Sequence, residues 1–181
     1  MLTDNLEVTI PIDADIIVLD YNDRIVMLVE VKIIESQEKA GKQTIVNYMI
    51  SWMKSALAKM SEKNTVIPFA MFVDPEKIII FKWDGVNLSE PICILNTVDI
   101  LRHYEPEFGS KKIFESYLES LIDAWLRDLA YHWKSEIPPA SEQIAIIGLL
   151  EMIVDGTTKT EVQLGNFVYR DQFFDEHCYR S

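Results

Sequence analysis

Three observations predict an α/β fold: a mixed sheet of about four strands flanked by helices, continued by a C-terminal helical extension. Short apolar, β-branched runs bounded by turn residues occupy the first ninety residues. A long segment of helical periodicity interrupts them after the second run. Beyond residue 90 a second long amphipathic stripe follows, with Pro and Gly as punctuation. The chain has 181 residues, 49% hydrophobic and 25% charged, the balance of an ordinary folded protein with a real core. Residues 1–90 are expected to form the α/β core, and residues 91–181 a helical extension with a terminal hairpin, packed together as one domain.

The elements follow in order. Ile16 to Leu19 and Ile25 to Val31 read as two strands around the turn-like Tyr21-Asn22-Asp23-Arg24. From Glu38 to Met60 the period changes: Ile45, Met49, Trp52, Met53, Ala56 and Met60 recur at helical spacing. Val66 to Val73 and Lys77 to Trp83 are strand-like, separated by Asp74-Pro75-Glu76 and closed by Asp84-Gly85. Lys111 to Trp133 sets Phe114, Leu118, Leu121, Ile122, Trp125, Leu129 and Trp133 on one stripe of a long helix. After Pro138-Pro139, Ser141 is a natural N-cap for a helix to Val154, with Gly156 at its C-terminal cap. Thr157 to Tyr169 reads as a closing hairpin turning at Gly165-Asn166.

No apolar run reaches the roughly 18–20 residues needed to cross a bilayer. Asp4 and Glu7 stand where a signal peptide would carry basic and then apolar residues, so a cytoplasmic protein without membrane association is expected. Two distant cysteines, Cys93 and Cys178, provide no disulfide framework. The net charge of −12 opposes nucleic-acid binding, whose non-specific affinity comes from Lys and Arg on phosphates. Positive charge that is local, metal-borne or supplied by a partner is then required.

The first hairpin carries the chemistry. A two-residue loop at Asn22-Asp23, or a four-residue loop, makes Leu19 face Val26, Ile17 face Leu28, Asp15 face Glu30 and Asp13 face Lys32. Asp15, Glu30 and Lys32 then share the face of Ile17, Leu19, Val26 and Leu28. A three-residue loop would shift the register by one and separate the pair. Two opposed carboxylates on an apolar face repel each other and lose hydration, and a divalent cation is one reason to keep them there. A lysine two residues from Glu30 suits stabilisation of a scissile phosphate or positioning of a water nucleophile. The plainer reading of Val-Glu-Val-Lys is the solvated face of a strand, with Asp15 and Glu30 in water.

This stretch resembles the PD-(D/E)XK nuclease superfamily, particularly the nuclease modules of type I restriction enzyme R subunits. The resemblance rests on Asp15-Ile16-Ile17-Val18, Val29-Glu30-Val31-Lys32, a helix with Gln43 and Tyr48 in its first half, and two further strands, across roughly residues 10–85. It implies a restriction-endonuclease-like core and metal-dependent endonuclease cleavage of DNA. It further implies Mg²⁺ or Mn²⁺ held by Asp15, Glu30 and the backbone carbonyl of Val31, with Lys32 catalytic and Gln43 orienting the site. Ala14 rather than Pro precedes Asp15, and Gln43 to Tyr48 is one residue longer than the family's spacing. The residues before Asp15 leave little room for the family's leading helix and its extra glutamate, for which Glu7 is a poor substitute. The rival expectation is a catalytically inactive interaction module on a nuclease-like fold. The acidic composition and the apolar helix after residue 110 favour this rival, with a protein partner or a second copy of the chain as its ligand.

Other residues carry weaker readings. Asp13 reads as an exposed strand residue before it reads as an acid beside the metal site or as the metal ligand itself. Lys39 and Lys42 lie near a helix N-terminus, where the dipole disfavours cations unless they face phosphate. His103, His132 and His177 lack metal-ligand spacing, and Asp175, His177 and Cys178 lack a paired ligand motif. Trp125 and Trp133 are expected in the core rather than as a stacking platform. No Walker-type phosphate loop occurs.

Overall fold

A computed structural model describes residues 7–34 and 39–170. Its centre is a six-stranded mixed sheet in the order β5-β4-β3-β2-β1-β6, two strands more than expected. The strands are β1 (Glu7–Leu19), β2 (Ile25–Val31), β3 (Phe69–Val73), β4 (Lys77–Lys82), β5 (Cys93–Asn96) and β6 (Thr157–Arg170). Neighbours are antiparallel except β2 and β3, which run parallel. A parallel pair needs a long crossover, and α1 (Lys39–Glu62) supplies it.

Helices cover both faces, so the strand interiors read as continuous apolar runs rather than alternating ones. On one face Met49, Met53, Ala56, Leu57 and Met60 of α1 pack on Ile17, Leu28, Ala70 and Phe72. On the other, α2 (Thr97–Leu101), α3 (Glu115–Tyr131), α4 (Ser141–Ile146) and α5 (Leu149–Ile153) cover Ile16, Val18, Met27, Val29, Val31 and Met71. Trp125 is buried in this second core, and its indole N–H donates to the Pro139 carbonyl at 2.9 Å.

The first hairpin differs from its expected form in an instructive way. Its loop has three residues, Tyr21 to Asp23: the Asp20 N–H donates to the Arg24 carbonyl at 2.9 Å, and Asp23 takes a left-handed φ of 60°. The Asp20 carboxylate secures the turn by accepting from the N–H groups of Asn22 and Arg24. Such a loop alone would slip the register by one residue. A bulge between Val18 and Leu19 cancels the slip: Leu19 pairs with Ile25, but Val18 pairs with Met27 and Ile17 with Leu28. The extra residue is Val26, so Val26 and Met27, although consecutive, both enter the α3-side core. Val26 therefore does not share the face of Ile17 and Leu28, whereas the register that sets Asp15 across from Glu30 survives.

The C-terminal half departs further from expectation. The long helix is shorter than the Lys111–Trp133 stripe. It stops at Tyr131 because His132 turns left-handed, and the Asp128 carboxylate accepts from the N–H groups of Lys134 and Ser135. Trp133 is consequently half-exposed against Tyr104, not in the core. The helix expected over Ser141–Val154 is two short ones, divided at Gly148 (φ 80°). Its N-cap residue is Ala140, and the Ser141 hydroxyl donates to the Pro138 carbonyl instead. The closing hairpin is a single long strand, β6, which joins the sheet beside β1 along the whole of that strand. At Gly165 a bulge opposite Ile12 absorbs the irregularity that the Gly-Asn pair signalled as a turn.

Gly156 enters β6 where the chain passes close to β1. A Cβ there would lie 2.0 Å from the Leu19 carbonyl oxygen and 2.9 Å from that of Ile153. Both obstacles are backbone and cannot swing aside. Gly156→Ala is expected to lower unfolding free energy by about 2–3 kcal/mol through forced backbone displacement. Urea denaturation measures this, and a loss within ~0.5 kcal/mol would contradict it.

Candidate functional site

The site lies at the carboxyl end of β2, where the β1–β2 ladder runs out. The last paired residues are Ile16 and Val29. Past them, the Val31 N–H points toward β1 but donates to the Asp15 carboxylate, at 2.8 Å to Oδ2, in place of a strand carbonyl. Along a strand the N–H and C=O of one residue point to the same side, so the Val31 carbonyl lies on the edge that Asp15 occupies. On the opposite edge, the Lys32 N–H donates to the Val73 carbonyl, continuing the parallel ladder with β3.

Asp15 sits at a break in β1 itself. Ala14 packs into the α1-side core and Ile16 into the α3-side core, so regular alternation fails between them. Across the ladder, Thr160 and Val162 pair with Ile16 and Ala14, and the intervening Glu161 has a left-handed φ of 52°. For a residue with a Cβ this conformation costs about 1 kcal/mol or more. The local distortion coincides with the carboxylate that the sequence singled out.

Glu30 is 5% exposed, and its Oε1 is buried with no hydrogen-bond partner. Burial raises its carboxyl to about 9. The negative charge of Asp15 and a hydrogen bond to it act in the same direction, while the Lys32 charge opposes them. A carboxyl with one idle oxygen, pressed against a second carboxylate, is the arrangement that a cation relieves. Lys32 is half-buried. Burial works against its charge, but Asp15, Glu115 and Glu30 outweigh burial and hold the ammonium above its ordinary value.

Helix α3 contributes residues that the sequence did not single out. Glu115, its first residue, accepts from the Lys32 ammonium at 3.2 Å on Oε1 and from the Ile33 N–H at 3.3 Å on Oε2. Glu119, one turn on, has a raised carboxyl value, caused first by burial and then by the charges of Asp15, Glu161, Glu115 and Asp123. A cleft of about 290 Å³ lined by Ser116, Glu119, Ser120, Asp123, Thr160 and Glu161 adjoins this end of the sheet. Only tertiary packing brings these acids to Asp15. In the sequence they are the polar face of an amphipathic helix and of a terminal strand.

The remaining candidates lie elsewhere. Gln43 is exposed, and its amide donates to Asn47 at 2.9 Å, one turn along α1. Tyr48 is half-exposed. Asp13 is exposed, and Lys42 is paired with Glu76 at 2.9 Å. His103 and His132 both bond to Ser135 in the turn after α3. Asp175, His177 and Cys178 lie outside the described residues. Among the described residues no group of three or more His, Cys, Asp or Glu side chains converges as a metal cage. The donor set is two carboxylates and one carbonyl, which suits a hard cation that retains water or phosphate oxygens. No protein-family model, curated protein or solved structure matches the chain.

Glu30 makes stability depend on pH. Its folded value of about 9 stands above the ordinary 4.5, so below pH 4.5 it is protonated in both states and costs nothing. As pH rises from there towards 9, the unfolded chain ionises freely while the folded one resists, and stability falls. Glu30→Gln removes that penalty. The variant is expected to gain on the order of 2 kcal/mol in metal-free urea denaturation at pH 8, and little at pH 5. Equal gains at both pH values would contradict the assignment.

Proposed function

We propose that this protein is a metal-dependent phosphodiesterase acting on DNA, of the PD-(D/E)XK type that roughly residues 10–85 resemble. The observation that carries the reading is the buried, unpartnered Oε1 of Glu30 beside Asp15 at the end of β2. Asp15, Glu30 and the Val31 carbonyl would hold Mg²⁺ or Mn²⁺. Such an ion supplies Lewis-acid stabilisation of the charge that develops on a scissile phosphate. Lys32 remains protonated through neutral pH, which suits donation to a phosphate oxygen or to the attacking water. Asp15 also fixes the strand end through the Val31 N–H, so its carboxylate is oriented before any ligand arrives.

Two further features support the reading. The parallel β2–α1–β3 unit follows the order that the resemblance implies, with Glu30 and Lys32 at the end of the strand preceding the crossover. The extra glutamate that the resemblance implies has candidate counterparts in Glu115 and Glu119, brought from the C-terminal half by α3. Gln43 is left out of the proposed machinery, because its amide is directed along α1 to Asn47.

One observation favours a second reading, a non-catalytic module that binds a protein. The cleft beside Asp15 is acidic, with Glu119, Asp123 and Glu161 in its walls, and repels phosphate unless a cation intervenes.

A cleavage assay on plasmid and single-stranded DNA with Mg²⁺ or Mn²⁺ separates the two. Wild type is expected to cut only with metal, and Lys32→Ala and Glu30→Ala to lose at least ~100-fold. A folded wild type that neither cuts nor gains melting temperature with metal supports the binding module instead.

A further inference from the structure

Lys32 stands one residue beyond the end of β2, where a lysine side chain ordinarily samples many rotamers in solvent. Here one carboxylate from a helix more than eighty positions away holds it. We propose that Glu115 is the positioning residue of the site: it clamps the end of β2 and aims the Lys32 ammonium at the Asp15–Glu30 pair. The inference rests on the phosphodiesterase reading given above.

The geometry is a two-point clamp. Glu115 Oε1 accepts from the Lys32 ammonium and Oε2 from the Ile33 N–H, so a single side chain fixes both a backbone group and a side-chain cation. The Ile33 N–H lies past the last ladder bond of β2, from the Lys32 N–H to the Val73 carbonyl. Glu115 is well placed to hold still. It opens α3, where the helix dipole favours an anion, and the helix behind it is anchored by the buried Leu118, Leu121, Ile122 and Trp125. The pair itself is partly exposed, with 34% of the Lys32 side chain and 44% of the Glu115 side chain accessible. It therefore adds little to folding stability. What it fixes is orientation, which acts on the turnover step rather than on substrate capture.

The experiment compares wild type, Glu115→Ala and Glu115→Gln by two readouts. In the protein without metal or DNA, amide exchange at Ile33 and the Lys32 side-chain ammonium cross-peak are followed by NMR. Wild type is expected to show a protected Ile33 amide and an observable ammonium. Glu115→Ala should lose both, and Glu115→Gln, whose carbonyl still accepts, should keep part of the Ile33 protection. With Mg²⁺ and DNA, Glu115→Ala is expected to lower kcat about 10- to 100-fold while KM stays within about 3-fold, with part of kcat restored in Glu115→Gln. Ile33 exchange and the ammonium signal both unchanged in Glu115→Ala would overturn the proposal. So would an effect confined to KM. If wild type fails to cut but the NMR changes appear, the clamp stands and the phosphodiesterase reading falls.

Discussion

Which side chains meet at the end of this sheet depends on how β1 pairs with β2. Side chains alternate across a strand, so a slip of one residue would carry Glu30 away from Asp15 and swap a row of core residues between the two layers. The three-residue loop at Tyr21 to Asp23 would produce that slip, and the bulge at Val26 removes it again. Burial enforces the compensation. Ile16, Met27 and Val29 are fully enclosed beneath α3, and Leu28 is enclosed beneath α1. Moving any of them to the opposite face would force it into a core packed for other side chains, at a cost of about 1–3 kcal/mol each. The apolar packing of both layers thus determines the position of the two carboxylates.

The electrostatics of that position run against ordinary folding. A carboxyl enclosed to 5% exposure, beside another carboxylate and with an idle oxygen, weakens the fold at neutral pH. Glu115, Glu119, Asp123 and Glu161 add further negative charge around it, in a chain whose net charge is already −12. Arg127 pairs with Asp123 at the far side of this cluster, and Lys32 answers the near side, shared between Asp15, Glu30 and Glu115. On the proposed reading, a divalent cation supplies the missing positive charge. An acidic protein then approaches a polyanion only in its metal-loaded form, and the sign of its surface matters less than the occupancy of one site.

Much of the candidate site is legible in the sequence alone. The apolar runs located β2 and β4 nearly to the residue and β3 with a start three residues early, and the helical period located α1, because local periodicity records burial directly. The register that sets Asp15 across from Glu30 is legible too, although through a two- or four-residue loop that does not form. Two errors, the missed loop length and the missed bulge, cancel in the register. The β6 strand was misread because Gly165-Asn166 is a strong turn signal in isolation, whereas beside the long β1 it is absorbed as a bulge. Glu115, Glu119 and Glu161 were not legible. Nothing in a helix's polar face tells which part of it will cross the end of a distant sheet. That information resides in how α3 packs, and the packing is set by apolar residues on its other side.

The most direct test of the central claim is diffraction from crystals soaked in Mn²⁺, read through the anomalous signal of the metal. The account predicts a single strong peak bonded to the carboxylates of Asp15 and Glu30 and to the carbonyl of Val31, and its loss in Glu30→Gln. An anomalous map with no peak there, or with manganese only in the Glu119–Asp123–Glu161 cleft, would contradict it.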